Sequence, residues 1–113
     1  MLGPDEHPSN EDWDRLFHAL ADATRRDIVL QVMQQGQSIS SLAGRYAMSF
    51  AAVQKHVAVL ERAGLVRKER RGREQHVHGE PVVLHKAARL LESYELLQRH
   101  RTAAIEELLE EEP

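Results

Sequence analysis

The 113-residue sequence predicts a mainly α-helical domain that carries one small two-stranded β-hairpin and closes on a long terminal helix. Three observations carry that expectation. Leucine, alanine and valine recur at helical spacing, while aromatic residues make up only 4% of the chain. Two short stretches, Leu65 to Arg70 and Glu74 to His78, read as strands joined across Arg71, Gly72 and Arg73. After Gly79 breaks the second strand and Pro81 offers a helix start, Leu90, Tyr94, Leu97, Ala104 and Leu108 make one stripe interrupted only by Arg101.

Residues 1–10, with Gly3, Pro4 and Pro8, have no periodic apolar pattern and read as a flexible tail; residues 11–109 form the domain and 110–113 an acidic tail. Trp13, Leu16, Phe17 and Leu20 lie at i, i+3, i+4 and i+7, one face of a first helix with Asn10 as its cap. Asp22 caps a second helix, whose buried face is Ile28, Val29, Val32 and Met33 and whose end Gly36 closes. A third, short helix from about Ser40 to Tyr46 turns Leu42, Ala43 and Tyr46 inward. Ser49 caps a fourth, with Val53, Val57 and Leu60 buried and Gly64 as its stop. Two helices so closely joined cannot lie antiparallel, so they cross steeply as a helix-turn-helix that presents the fourth helix outward. In the hairpin, Val66 and Val77 face inward. The long helix runs from about Val82 to Leu109.

A domain of this size buries roughly two thirds of its unfolded surface, so one core is expected. With 42% hydrophobic and 29% charged residues the composition is that of a globular protein. No cysteine is present, which excludes a disulfide framework, thiolate metal ligation and a thiol redox switch. No apolar run approaches a membrane span and residues 1–11 lack the segments of a signal peptide, so the cytoplasm is the expected compartment. The net charge of −3 hides a segregation. Residues 1–20 hold one Arg against five acids, 38–78 hold eight Lys or Arg against three acids, and 79–113 hold four against eight. A basic middle between acidic ends points to a central surface for a polyanion.

The stretches "HALADATRRDIVLQV" and "ISSLAGRYAMSFAAVQKHVAVLERAGLVRKERRGRE", with a last helix opened by Glu80 and Pro81, resemble the ArsR family of dimeric winged helix-turn-helix repressors over about residues 12–100. The most specific part is the fourth helix running into "LERAGLV" and the "GR" hairpin tip. The resemblance implies a transcriptional regulator that represses by binding a palindromic promoter operator, often its own, as a homodimer paired through its first and last helices. Those helices carry Trp13, Leu16, Phe17, Leu90, Tyr94 and Leu97, which bury against the partner, within the chain's own core, or, for Trp13 and Leu16 especially, both.

The residues support a double-stranded DNA partner in their own right. With Val53, Val57 and Leu60 inward, the fourth helix shows Ser49, Phe50, Ala51, Gln54 and Lys55 outward near its start. Alanine lets the backbone approach a groove, Gln54 pairs bidentately with adenine, and Lys55 reaches guanine or phosphate; Phe50 meets a thymine methyl or packs on the turn. Arg70, Arg71 and Arg73 at the wing tip would lie along phosphates or in the adjacent minor groove. Arg25 and Arg26 belong to the family's second-helix motif, and which touches DNA is left open.

The family's metal-sensing pattern fails in this sequence. "SISSLAGRYA" stands where the cysteine motif would be, and His85 and His100 are 15 residues apart on one helix, about 22 Å along its axis. His76 and His78, at i and i+2 on a strand, would chelate only weakly. No metal, cofactor or catalytic set is therefore expected: there is no cysteine nucleophile and no glycine-rich phosphate loop, and Ser38, Ser40, Ser41 and Ser49 are accounted for by caps and loops. The alternative reading is a metal- or small-ligand-responsive sensor with its input at His76 and His78 or in a pocket between first and last helices. A winged helix that binds only protein is a third.

Overall fold

The computed structural model describes residues 6–110, so residues 1–5 of the expected tail and 111–113 of the acidic end lie outside the described residues. In order come α1 (Asn10–Leu20), α2 (Ala23–Gln34), β1 (Gln37–Ser38), α3 (Ile39–Tyr46), α4 (Phe50–Arg62), β2 (Val66–Arg71), β3 (Glu74–Gly79) and α5 (Pro81–Glu110).

Asn10 is not the cap of α1 but its first residue. Ser9 caps instead, because Asp12 closes a capping box: the Ser9 hydroxyl accepts the Asp12 amide at 3.1 Å and the Asp12 carboxylate accepts the Ser9 amide at 2.9 Å. The far end of α1 holds the two arginines. Arg25 donates to the Ala19 and His18 carbonyls at 2.8 and 2.9 Å, and Arg26 to the Leu20 carbonyl at 2.9 Å. Both thus cap carbonyls at the last turn of α1, where the helix dipole also favours a cation, although the His18 carbonyl accepts the Ala21 amide as well. Asp22 caps α2 as expected, accepting the Arg25 amide at 3.0 Å. That backbone hydrogen bond holds its carboxyl below the usual range.

One further expectation is corrected and one is extended. Helix α2 ends at Gln34 with Gln35 already extended, so Gly36 does not close it. Gly36 is there for space, since a Cβ would stand 2.5 Å from the His78 ring. The expected two-stranded hairpin is present as β2 and β3, and it gains a third strand that was not foreseen: β1 pairs with β3, Gln37 opposite Val77 and Ser38 opposite His76, giving an antiparallel sheet ordered β1-β3-β2. A strand of two residues shows no alternation by which it could be read.

Helix α3 is tied to α2 by the Tyr46 hydroxyl, which donates to the Asp27 carboxylate at 2.5 Å, with Arg45 3.8 Å from the same oxygen. Ala47 then turns the chain in the left-handed region (φ 52°, ψ 40°), and Ser49 caps α4 by accepting the Ala52 amide at 3.1 Å. Helix α4 ends in a Schellman motif. The Leu65 amide reaches back to the Leu60 carbonyl at 3.0 Å and the Gly64 amide to Glu61 at 2.9 Å, with Gly64 at φ 78°. Leu60 and Leu65 are both fully buried, supplying the apolar contact that accompanies this motif. At the hairpin tip Arg71 still pairs with Glu74, leaving only Gly72 and Arg73 as the loop, with Gly72 at φ 61°.

The core joins Leu16 and Ala19 of α1, Ile28, Val29 and Val32 of α2, Ile39 and Leu42 of α3, Val53, Val57 and Leu60 of α4, and Val66 and Val77 of the sheet. Only the start of α5 reaches it, through Val83 and Ala87; every residue from Leu91 to Glu110 is exposed.

Burial and the neighbouring Asp27 carboxylate push the Tyr46 hydroxyl up to about 12 from an ordinary 10.0. A group whose folded pKa is raised stabilises fully below its unfolded pKa and loses that contribution as pH rises to the folded one. Stability is therefore expected to fall between about pH 10 and pH 12, partly through this residue. Tyr46→Phe should cost about 1 kcal/mol at neutral pH, and its denaturant midpoint should decline less than the parent's over the alkaline window. An equal alkaline decline in both proteins would contradict the assignment.

Candidate nucleic-acid interface

The exposed flank of α4 and the helix-facing side of the wing form one cleft. Phe50 and Gln54 of α4, Arg70, Arg73, Glu74 and Gln75 of the wing, and Ser38, Ile39 and Ser40 at the start of α3 line a space of about 270 Å³. Its two walls are held at a fixed angle by the Gly64 turn and by burial of Val53 and Val57 behind α4 and of Val66 and Val77 behind the wing.

Every expected residue of α4 is on the outer side. Ser49, Phe50, Ala51, Gln54 and Lys55 are exposed, Phe50 by 48%. The side chains of Gln54 and Lys55 make no hydrogen bond or ion pair among the described residues, so neither has an intrachain contact to give up on meeting a ligand.

The sheet register separates the wing cations. Side chains alternate between faces, which puts Lys68 and Arg70 on the side of buried Val66, and Arg67, Glu69 and Arg71 on the other. Arg71 lies 3.2 Å from Glu69; Arg67 lies 3.4 Å from Glu69 and 2.9 Å from Glu80; Lys68 lies 3.5 Å from Glu61 of α4. The Arg71 hydrogen bond holds the Glu69 carboxyl below its usual range, so that acid stays ionised among the cations. Arg70 donates only to the Gly72 carbonyl, at 3.3 Å, and Arg73 has no ion pair among the described residues. The two wing charges left uncompensated are thus the two that line the cleft with Gln54. Sequence alone did not rank the three tip arginines, although alternation counted from Val66 carries the signal. Ser38, Ser40 and Gln75 were not foreseen as cleft residues, because short β1 and the α3 start that it leads into bring them there.

The expected pairing residues divide. Leu16 is buried inside its own chain, Trp13 and Leu90 are partly buried, and Phe17, Tyr94 and Leu97 are exposed. Trp13 and Phe17 stack with ring centroids 6.1 Å apart. On the wing's other face, His76 and His78 stack at 6.5 Å, each 3.2 Å from a carboxylate oxygen, of Glu74 and Glu69 respectively. Among the described residues no three His, Asp or Glu side chains are grouped so as to hold a metal ion. Among them, too, no helix is long and apolar enough to cross a membrane.

Comparison with known proteins agrees with this geometry. The family profile described as "Bacterial regulatory protein, arsR family" matches residues 22–68. An ArsR-like transcriptional regulator from Rhodococcus sp. RHA1 is similar over 91% of this chain and 94% of its own, with 35% identity and a TM-score of 0.81. A protein described as a possible transcriptional regulator for arsenical resistance shares 30% identity over 80% of this chain and 94% of its own, at a TM-score of 0.66. A homodimeric winged helix-turn-helix DNA-binding domain from Mycobacterium bovis, described as a possible ArsR-family transcriptional regulator, shares 25% identity over 80% of this chain and 85% of its own, at 0.62. No protein of curated function matches.

If the cleft meets a polyanion, Arg70→Ala and Arg73→Ala should each weaken binding to any duplex and flatten its salt dependence by about one released counterion per subunit. Arg71→Ala should do less, because Glu69 already offsets its charge. Titration of labelled duplex across a salt series checks this, and a larger effect at Arg71 than at Arg73 would contradict the charge accounting.

Proposed function

Because the chain belongs to the ArsR family of bacterial regulatory proteins, we propose that it is a homodimeric, sequence-specific double-stranded DNA-binding repressor acting on an inverted-repeat operator. The observation that carries this reading is the meeting of Gln54 and Phe50 with Arg70 and Arg73 on one cleft. An exposed helix flank with a free amide reads base edges in a major groove, and unpaired guanidiniums beside it anchor the flanking backbone. Ser49, Ala51 and Lys55 belong to the same contact: the first two are small enough for close approach, and the third brings a charge within reach of phosphate or guanine. Arg71 lies at the rim and contributes once Glu69 releases it.

Pairing is supported by α5. Tyr94, Leu97 and Leu108 are 58%, 67% and 66% exposed on one stripe, and a single subunit would leave that stripe in water at a cost of roughly 25 cal/mol for each Å². Phe17, Leu90, Tyr94 and Leu97, with the edge of Trp13, form the proposed contact with a second copy. Leu16 serves the chain's own core. The M. bovis relative is a homodimer of the same fold. Two copies of the α4 unit double the contact and impose two-fold symmetry on the DNA. The acidic residues Glu106, Glu107 and Glu110 of α5 lie beyond the pairing residues, and in this reading they are kept off the phosphates.

Gln54→Ala tests the reading. It should cost about tenfold or more in affinity for the duplex that the protein prefers and leave affinity for unrelated duplexes nearly unchanged, as measured by competition binding. Uniform losses across all duplexes would contradict a base-reading role.

A further inference from the structure

A second cleft lies away from the α4 flank, between the segment preceding α1 and the first three turns of α5. It measures about 830 Å³, within the range of pockets that hold small organic ligands. Val82, His85, Lys86, Arg89 and Leu90 fall on one face of α5 by their i, i+3, i+4, i+7 and i+8 spacing, and the Trp13 side chain lies across from them. The lining is therefore two-sided in chemistry. Trp13, Val82 and Leu90, with two prolines, make an apolar wall; Lys86 and Arg89 bring positive charge against the single carboxylate of Glu6.

That concentration runs against the local composition. Residues 79–113 hold eight acids and only four Lys or Arg, yet two of those four cations line this one cleft. Lys86 is engaged, donating to the Glu6 carbonyl and so fixing the segment that borders the cleft. Arg89 makes no ion pair or side-chain hydrogen bond among the described residues. An exposed guanidinium beside an indole and a leucine is a site for a carboxylate that carries an apolar body.

We infer that this cleft binds a small amphipathic organic anion, its carboxylate on Arg89 and its apolar body against Trp13 and Leu90. Leu90 and the edge of Trp13 also belong to the proposed subunit contact, so occupancy and pairing are coupled. That consequence rests on the regulator reading; the binding does not.

Trp13 is the only tryptophan of the chain, which makes its fluorescence a local reporter. The full chain is titrated with phenylbutyrate and with phenylbutanamide, its neutral amide. The expected result is a saturable change in Trp13 emission, with the carboxylate binding about tenfold tighter than the amide. Arg89→Ala should abolish that preference while leaving the amide titration unchanged. No saturable change with either compound, equal affinities for the two, or an unaltered preference in Arg89→Ala would overturn the inference. None of these readings involves DNA, so they leave the repressor proposal to be decided by Gln54.

Discussion

The end of α4 is the constraint on which the rest depends. Between the last buried residue of that helix, Leu60, and Leu65, which directly precedes the wing, the chain reverses within a left-handed glycine and two back-directed hydrogen bonds. A Cβ at Gly64 would also stand 3.0 Å from Val83 of α5, so the same position sets how closely the last helix packs on the turn. Three elements are thereby fixed to one another: α4, the wing and the start of α5. With a looser connection, the α4 flank and the wing arginines would be two separate surfaces. With this one they are a single cleft, preorganised before any ligand arrives.

Charge is placed as economically as the backbone. The chain is acidic overall, and its wing holds acids as well as cations, yet these are not mixed at random. Glu69 and Glu80 engage Arg67 and Arg71, which makes the outer wing face close to neutral, while on the helix-facing side Lys68 is engaged by Glu61 of α4. The positive charge of the wing that survives is at Arg70 and Arg73 beside Gln54, with Lys55 the next residue along the helix. A surface whose positive charge is concentrated in this way would draw a polyanion to one place and not to all faces.

Much of this was legible in the amino-acid order because local signals and burial agree. Ser49, Val53, Val57, Leu60 and Gly64 state the cap, the buried stripe and the stop of α4 within sixteen residues, and all five hold in the structure. Illegible features were those set by partners distant in sequence. Strand β1 exists only because β3 offers it an edge, and Gly36 is explained by a histidine more than forty residues later. The bonds of Arg25 and Arg26 to the end of α1 are likewise invisible in the sequence, because the carbonyls that take them lie on the preceding helix. Leu16 and Phe17, neighbours on an amphipathic helix, differ by a single step of about 100°, yet one is 1% and the other 40% exposed. Periodicity defines a face; only packing says which edge of it remains for a partner.

The symmetry of the DNA that the protein chooses is the most direct measure of whether two such cleft units act together. Duplexes bound from a random library and then sequenced should share an inverted repeat whose half-site centres lie about one helical turn, roughly 34 Å, apart. Enrichment of a single unrepeated half-site, or of no sequence at all, would contradict paired reading by α4.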